Sequence, residues 1–236
     1  MLLGQGRVFD TRGGGTSSSA CAVSVGRQVT VVDAQGWGSC EELVPRDEKI
    51  ELMTAMSMCG PGPHVVLLVI PLLDFTESER MAVERRMELL TSAVWRYTMV
   101  LFTFGDRLKR CGRSVDEHIK SGGPAMRWLM EKCRYRYHVM DNTPQEQVNE
   151  LLSKVEDMMQ ENGGWHFSLH MYQRLEEEWS RREQELRDLL ETETDVGRGR
   201  RRKEPTMGVN LSDLLLVSFR VMCFQPFNKL YGFLYD

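Results

Sequence analysis

Three short stretches of the 236-residue chain carry aspartate or asparagine within three residues of the end of an apolar run. They are DAQG at 33–36, TFGD at 103–106 and MDN at 140–142. The carboxylate of Asp33 can hold the water shell of Mg²⁺, and Gly36 lets a backbone N–H approach a phosphate. The carboxylate of Asp106 can accept two hydrogen bonds from the N1 and N2 donors of guanine, which adenine cannot supply. Each stretch alone is also ordinary turn and capping chemistry, whereas the three in order indicate a nucleotide site.

Four apolar runs predict the strands that position these stretches, at residues 29–32, 65–70, 98–103 and 135–140. Continuous apolar character is typical of a strand covered on both faces, and amphipathic stretches lie between the runs. This rhythm predicts a doubly wound α/β fold with a mostly parallel sheet. Ligands in such folds bind beyond the C-terminal ends of the strands, so we expect the three stretches to converge on one edge.

Helices are predicted by their own signals between and after these runs. TESE at residues 76–79 is a capping box that starts a helix running to about residue 92. Residues 116–120 and 124–132 are expected to be helical around a Gly122-Gly123 break. A further helix over 144–160 closes the domain near Asn162, which gives a first domain over residues 1–162.

The rest of the chain has a different composition. Residues 163–193 predict a charged helix, and either a coiled coil or packing against the first domain remains open for it. Its apolar residues follow a spacing of three and four: Tyr172, Leu175, Trp179, Leu186 and Leu189.

Residues 194–236 form a basic linker and an apolar tail. The linker contains RGRRRK, which begins at Arg198 and ends at Lys203. The tail is expected either to be a small hydrophobic helix or to contact a membrane surface together with this basic run. Residues 211–224 are too few to span a bilayer.

Composition excludes several classes. A net charge of -4 argues against a general nucleic-acid binder. The six cysteines include no C-x-x-C pair, so free thiols in a reducing cytosol are expected. His166 and His170 have helical i, i+4 spacing, but no third metal ligand accompanies them.

Longer segments around these motifs resemble a known family. They are MLLGQGRVFDT, GRQVTVVDAQG, CGPGPHVVLLVIPLLDFTESERMAVE, TMVLFTFGDRL and SVDEHIKSGGPAMRWLMEKCRYRYHVMDN. Over about residues 2–160 the chain is similar to the immunity-associated GTPases, the GIMAP group, which have an AIG-type G domain. The resemblance implies a P-loop GTPase fold, binding of GTP or GDP with Mg²⁺, self-association through the G domain and a cytoplasmic location, with association to intracellular membranes left open.

The resemblance also implies roles for single residues. Thr11 would lie at the first switch, and Asp33 with Gly36 would form the phosphate sensor, with Asp33 holding Mg²⁺ through water. The base loop would comprise Phe104, Gly105 and Asp106, followed by Asn142 on the guanine side. The chain departs from the family's D-T-P-G at Ala34 and Gln35, from its N-N at Asp141, and from its commoner basic or polar residue at Phe104.

No phosphate-loop motif G-x-x-x-x-G-K-[ST] occurs in the sequence, and Trp37 stands where many GTPases have a water-orienting glutamine. Catalytic residues are therefore unknown. In this topology the missing segment also carries a central strand, so the flank of a hydrophobic strand is expected to be exposed. Either the sequence is an N-terminally short form of an intact GTPase, or it is a remnant that pairs this flank with something else. The expected function is a guanine-nucleotide-binding switch with weak or absent hydrolysis; the alternative is a nucleotide-free scaffold.

Overall fold

A computed structural model describes residues 16–37, 44–73, 75–141, 145–194 and 217–224. The strands are β1 Ser18–Ser24, β2 Arg27–Trp37, β3 Val65–Pro71, β4 Thr98–Thr103, β5 Tyr137–Met140 and β6 Val217–Phe224. The α-helices are α1 Arg46–Ser57, α2 Glu77–Glu88, α3 Gly105–Arg110, α4 Val115–Ser121, α5 Gly123–Lys132, α6 Gln145–Glu161 and α7 Leu169–Thr194. A 3-10 helix, Ser92–Tyr97, precedes β4.

The described strands form one sheet in the order β1-β2-β6-β3-β4-β5. Strands β3, β4 and β5 pair in parallel. Strand β2 runs in the same direction as β3, because each of them pairs antiparallel with β6 between them. Four of the six strands are thus parallel, which confirms the predicted doubly wound, mostly parallel α/β fold.

Strand β6 was not predicted as a strand. Residues 217–224 were expected to belong to a hydrophobic helix or a membrane anchor, and the helical prediction is wrong, because these residues form a strand between β2 and β3. Val221 is level with Val32 on one side and with Val66 on the other. The predicted exposed flank is therefore also wrong: the backbone groups on the facing sides of β2 and β3 both find partners in β6.

Helices cover the two faces of the sheet. Right-handed crossovers place α1, α2 and α5 on one face, since each connects one parallel strand to the next in the same direction. Helix α6 follows β5 and contacts both β3 and β5. Neighbouring residues of β3 and β4, which point to opposite faces, are nearly all buried, so the core continues on both sides of the sheet.

Most predicted elements are found with small shifts of their ends. The capping box is confirmed: the Thr76 hydroxyl accepts from the Glu79 N–H, and the Glu79 carboxylate accepts from the Thr76 N–H. The helix that it starts ends at Glu88, short of residue 92, and a 3-10 helix follows. Strand β1 lies outside the four apolar runs that predicted strands.

The cysteines divide into two groups. The expected free thiols are confirmed for Cys21, Cys111 and Cys133, whereas Cys59 takes part in a disulfide bond, which corrects the expectation for that residue. Among the residues that the structure describes, no helix has the length and apolar character required to cross a bilayer.

Candidate functional site at the carboxyl edge of the sheet

The parallel strands end together. Pro71 at the end of β3 is level with Thr103 at the end of β4, which is level with Met140 at the end of β5. The residues after Thr103 and after Met140 therefore emerge side by side. The predicted convergence of these two stretches on one edge is confirmed.

Residues 104–106 are fixed by tight backbone geometry. Helix α3 begins at Gly105, and Phe104 before it adopts a left-handed conformation, with φ 64° and ψ 32°. Such a conformation is costly for a bulky residue and recurs at ligand sites. A Cβ on Gly105 would lie 2.5 Å from Asp141 Oδ1 and 2.6 Å from Val139 Cγ1. Only glycine lets the base loop approach the end of β5 so closely.

Only one oxygen of the Asp106 carboxylate has a hydrogen-bond partner among the described residues. Its Oδ2 accepts a hydrogen bond from Arg110 at 2.6 Å, one helical turn later. Its Oδ1 is buried and has no hydrogen-bond partner among the described residues. The Arg110 side chain is largely exposed, and an ion pair of this kind contributes only about 0–1 kcal/mol. A ligand with two N–H donors can therefore satisfy Oδ1 and displace Arg110 from Oδ2 at small cost.

The neighbouring Asp141 is held from two sides. Lys109 contacts its Oδ2 at 2.6 Å, and the Gln147 amide donates to the same oxygen at 2.9 Å. Gln147 also accepts from the Asp141 backbone N–H at 2.7 Å. The hydrogen bond from Lys109 is the main reason that the pKa of Asp141 is lowered, with partial burial opposing it and Gln147 assisting. Asp141 is thus an anchored carboxylate where the resembled family has an asparagine.

Arg107 covers one face of the Phe104 ring. The Arg107 guanidinium stands over the ring, 4.8 Å from its centroid. A base could stack only on the opposite face, since Arg107 covers the first.

The first stretch is placed differently from the prediction. Asp33–Gly36 were expected to form a loop, but β2 continues through Trp37, so this prediction is wrong. The cause is non-local: β1 pairs with β2 as far as Asp33, and β6 pairs with β2 as far as Trp37. Arg220 of β6 pairs with Asp33 on one side and with Leu67 of β3 on the other, so Asp33 is level with Leu67. Leu67 lies four residues, or about 13 Å, before the end of β3. The register shifts between Ala34 and Trp37, so Gly36 lies in an irregular, bulge-like segment nearer the edge.

Two predicted ligand residues, Thr11 and Asn142, lie outside the described residues. Within the described ranges, no group of three or more His, Cys, Asp and Glu side chains could hold a metal ion. Asp33 is half-buried within β2. The role of Asp33 towards Mg²⁺ through water therefore stays a prediction.

The side chains that bind the two carboxylates, Asp106 and Asp141, were not found by the sequence analysis. Helix α3 was not predicted; had it been, Arg110 could have been found, because Asp and Arg at i, i+4 on a helix are neighbours. Lys109 and Gln147 could not, since their contacts with Asp141 join residues 32 and 6 positions apart across different elements.

The fold and the edge site together define a doubly wound α/β protein of the P-loop GTPase type. The sequence profile of the AIG1 family matches residues 6–186, and the chain belongs to this family. Strand β6 lies outside the matched residues.

Curated relatives are moderately similar. The chain is 27% identical over 180 residues to immune-associated nucleotide-binding protein 10 of Arabidopsis thaliana, an alignment covering 72% of this chain and 38% of that protein. It is 25% identical over 133 residues to immune-associated nucleotide-binding protein 1 of the same plant, covering 53% and 59%. It is 27% identical over 145 residues to human GTPase IMAP family member 8, covering 59% and 20%. The chain thus spans between a fifth and three fifths of the length of these relatives.

Proposed function

We propose that the chain binds a guanine nucleotide, with the base at the carboxyl ends of β4 and β5. The observation that carries this proposal is the Asp106 carboxylate, whose Oδ1 is buried without a partner among the described residues while Oδ2 holds only an exposed arginine. A buried acceptor left unpaired costs about 1–3 kcal/mol. The N1 and N2 donors of guanine would satisfy both oxygens, whereas adenine offers no such pair.

The names of the relatives support the same ligand class, since two of them are called nucleotide-binding and one is called a GTPase. For the phosphate end of the nucleotide we propose Gly36 near the edge, Asp33 acting on Mg²⁺ through water, and Thr11 at the first switch. For the base we propose Asn142 beside it. Support for these four residues comes from the resemblance. We assign no catalytic group, and the proposed activity is a nucleotide-dependent switch or scaffold with weak or absent hydrolysis.

Binding of mant-GTP, followed by fluorescence, tests the proposal. We expect unlabelled GTP to compete and ATP to compete at least about tenfold less well. Asp106→Asn should weaken guanine binding and improve competition by xanthosine triphosphate, because an amide can donate to the xanthine 2-carbonyl. Asp157→Asn, an exposed aspartate of α6, is the matched control and should leave selectivity unchanged. Guanine preference retained in Asp106→Asn would refute the role of Asp106.

The second candidate is a nucleotide-free interaction protein with a degenerate G domain. Helix α7 favours it, because large apolar side chains on this helix are exposed. Absence of any mant-GTP signal at protein concentrations of about 100 μM would support this candidate. Self-association through the G domain and membrane contact through residues 198–203 are proposals that rest on the resemblance and on the basic sequence; residues 198–203 lie outside the described ranges.

A further inference from the structure

Over residues 169–188, whose side chains the structure describes, helix α7 contacts the domain only near its beginning. Phe167, just before the helix, is fully buried and stacks on Tyr172 with ring centroids 5.4 Å apart. The hydroxyls of Tyr172 and Tyr97 are 3.2 Å apart, and the Ser92 N–H donates to Glu176 at 3.2 Å. From residue 177 to residue 188 every side chain is exposed. The described part of the helix therefore leaves the domain surface after its second turn.

This free part carries an apolar stripe. Leu175, Trp179 and Leu186 are 43%, 73% and 61% exposed. Their spacings of four and seven residues place them on one side of a helix, over a length of about 17 Å. Arg182 occupies the remaining seam position between Trp179 and Leu186. An exposed tryptophan flanked by leucines on one helix face is the composition of an interface anchor.

Glutamates flank the stripe on both sides. Glu183 lies on one side of it, and Glu178 and Glu185 lie on the other, at the positions that contact a partner helix in a two-helix pair. Glu176 lies on the same side as Glu183, but it is already held by Ser92. If two copies of α7 paired along this stripe, these glutamates would face glutamates, in either the parallel or the antiparallel arrangement. In the parallel arrangement Arg182 would also face Arg182. Self-pairing is thus disfavoured by like charges.

The helix neutralises these glutamates only weakly. Arg181 lies 3.9 Å from both Glu178 and Glu185, and Arg187 lies 2.7 Å from Glu183. All these side chains are more than half exposed, and such pairs within a helix contribute a few tenths of a kcal/mol each. The glutamates can therefore exchange these contacts for basic groups on a partner.

We propose that the stripe of Leu175, Trp179 and Leu186 docks a basic amphipathic helix of another protein. The apolar face of that helix would cover the stripe, and its flanking Lys or Arg residues would meet the glutamates. Tyr97, where α7 is anchored, precedes β4, so this surface begins at the edge of the sheet opposite the base loop. Docking there is independent of the proposed nucleotide site.

Two synthetic helical peptides of about three heptads test the proposal. Both carry Leu and Ile at the core positions, and they differ in having Lys or Glu at the flanking positions. Binding to the full 236-residue chain is measured by fluorescence anisotropy, with a scrambled Lys peptide as a control for net charge. We expect the Lys peptide to bind at least about tenfold more tightly than the Glu peptide and the scrambled peptide.

Variants of exposed residues locate the contact without disturbing the core. Trp179→Ala should weaken binding of the Lys peptide about tenfold or more. Trp165→Ala, which removes an exposed tryptophan outside the stripe, should leave it unchanged. Glu178→Gln with Glu183→Gln should weaken binding and its salt dependence, whereas Glu131→Gln on α5 should not.

Three results would overturn the proposal. They are equal or absent binding of the two patterned peptides, insensitivity to Trp179→Ala, and sedimentation of the free chain as a dimer that Trp179→Ala converts to a monomer. The last result would identify a second copy as the occupant. None of these outcomes depends on whether nucleotide binds at Asp106.

Discussion

Replacing Val221 by proline should destabilise the whole sheet, because β6 pairs with a strand on each side. Val221 is level with Val32 of β2 and with Val66 of β3. In a strand paired on both sides, every interior N–H has a partner in one of the two ladders. Proline removes that donor, which is why it is found on edge strands and not in central ones.

The expected cost follows from the ladder. One hydrogen bond contributes a net of about 1 kcal/mol, and leaving its buried carbonyl partner unsatisfied adds about 1–3 kcal/mol. Val221→Ala keeps the N–H and removes most of the side chain, so it isolates the backbone effect. We expect Val221→Pro to lower the free energy of unfolding by about 2–4 kcal/mol more than Val221→Ala. This is a large share of the roughly 5–15 kcal/mol typical of a domain.

Urea denaturation followed by tryptophan fluorescence measures this difference. The two variants and the unchanged chain are compared at one temperature and pH, with equal slopes required for a direct comparison. If Val221→Pro and Val221→Ala unfold with the same free energy, residue 221 is not in a central strand and the sheet order described above is incorrect.

Two further predictions concern the base loop. Gly105→Ala should lower the free energy of unfolding by about 1–3 kcal/mol, because its Cβ would collide with Asp141 and Val139. An equal melting temperature for Gly105→Ala and the unchanged chain would contradict this packing. The lowered pKa of Asp141 means that its ionised form contributes stability that is present above the ordinary aspartate pKa and is lost as pH falls through the folded-state value. Thermal melts between about pH 2 and 6, about two units on either side of the ordinary aspartate pKa, should therefore show a shallower loss of stability towards acid in Asp141→Asn than in the unchanged chain. Parallel curves would show that the ionised Asp141 contributes no such stability.

Some elements can be predicted from neighbouring residues alone, because their secondary structure does not depend on pairing with a distant segment. Strand β4 was predicted with its observed ends, because six consecutive residues of apolar and β-branched type leave little choice in a buried position. The capping box fixed the start of α2 in the same local way. Asp106 was placed after β4 from these boundaries alone.

Other features depend on residues far along the chain. The sequence VSFRVMCF at 217–224 is short and apolar enough for a helix or a strand, and only the gap between β2 and β3 decides in favour of a strand. Asp33 was expected in a loop because its own apolar run ends at Val32. Pairing with β1 and β6 extends the strand past that point, and no local pattern reports such pairing.

Backbone amide chemical shifts during titration with GDP test the central claim most directly. If guanine binds at the carboxyl ends of β4 and β5, the largest shifts should fall on Phe104, Gly105, Asp106 and Asp141, and ADP at the same concentration should leave them in place. Guanine-specific shifts that avoid these residues, or none at saturating GDP, would contradict the assignment of this edge as a guanine site.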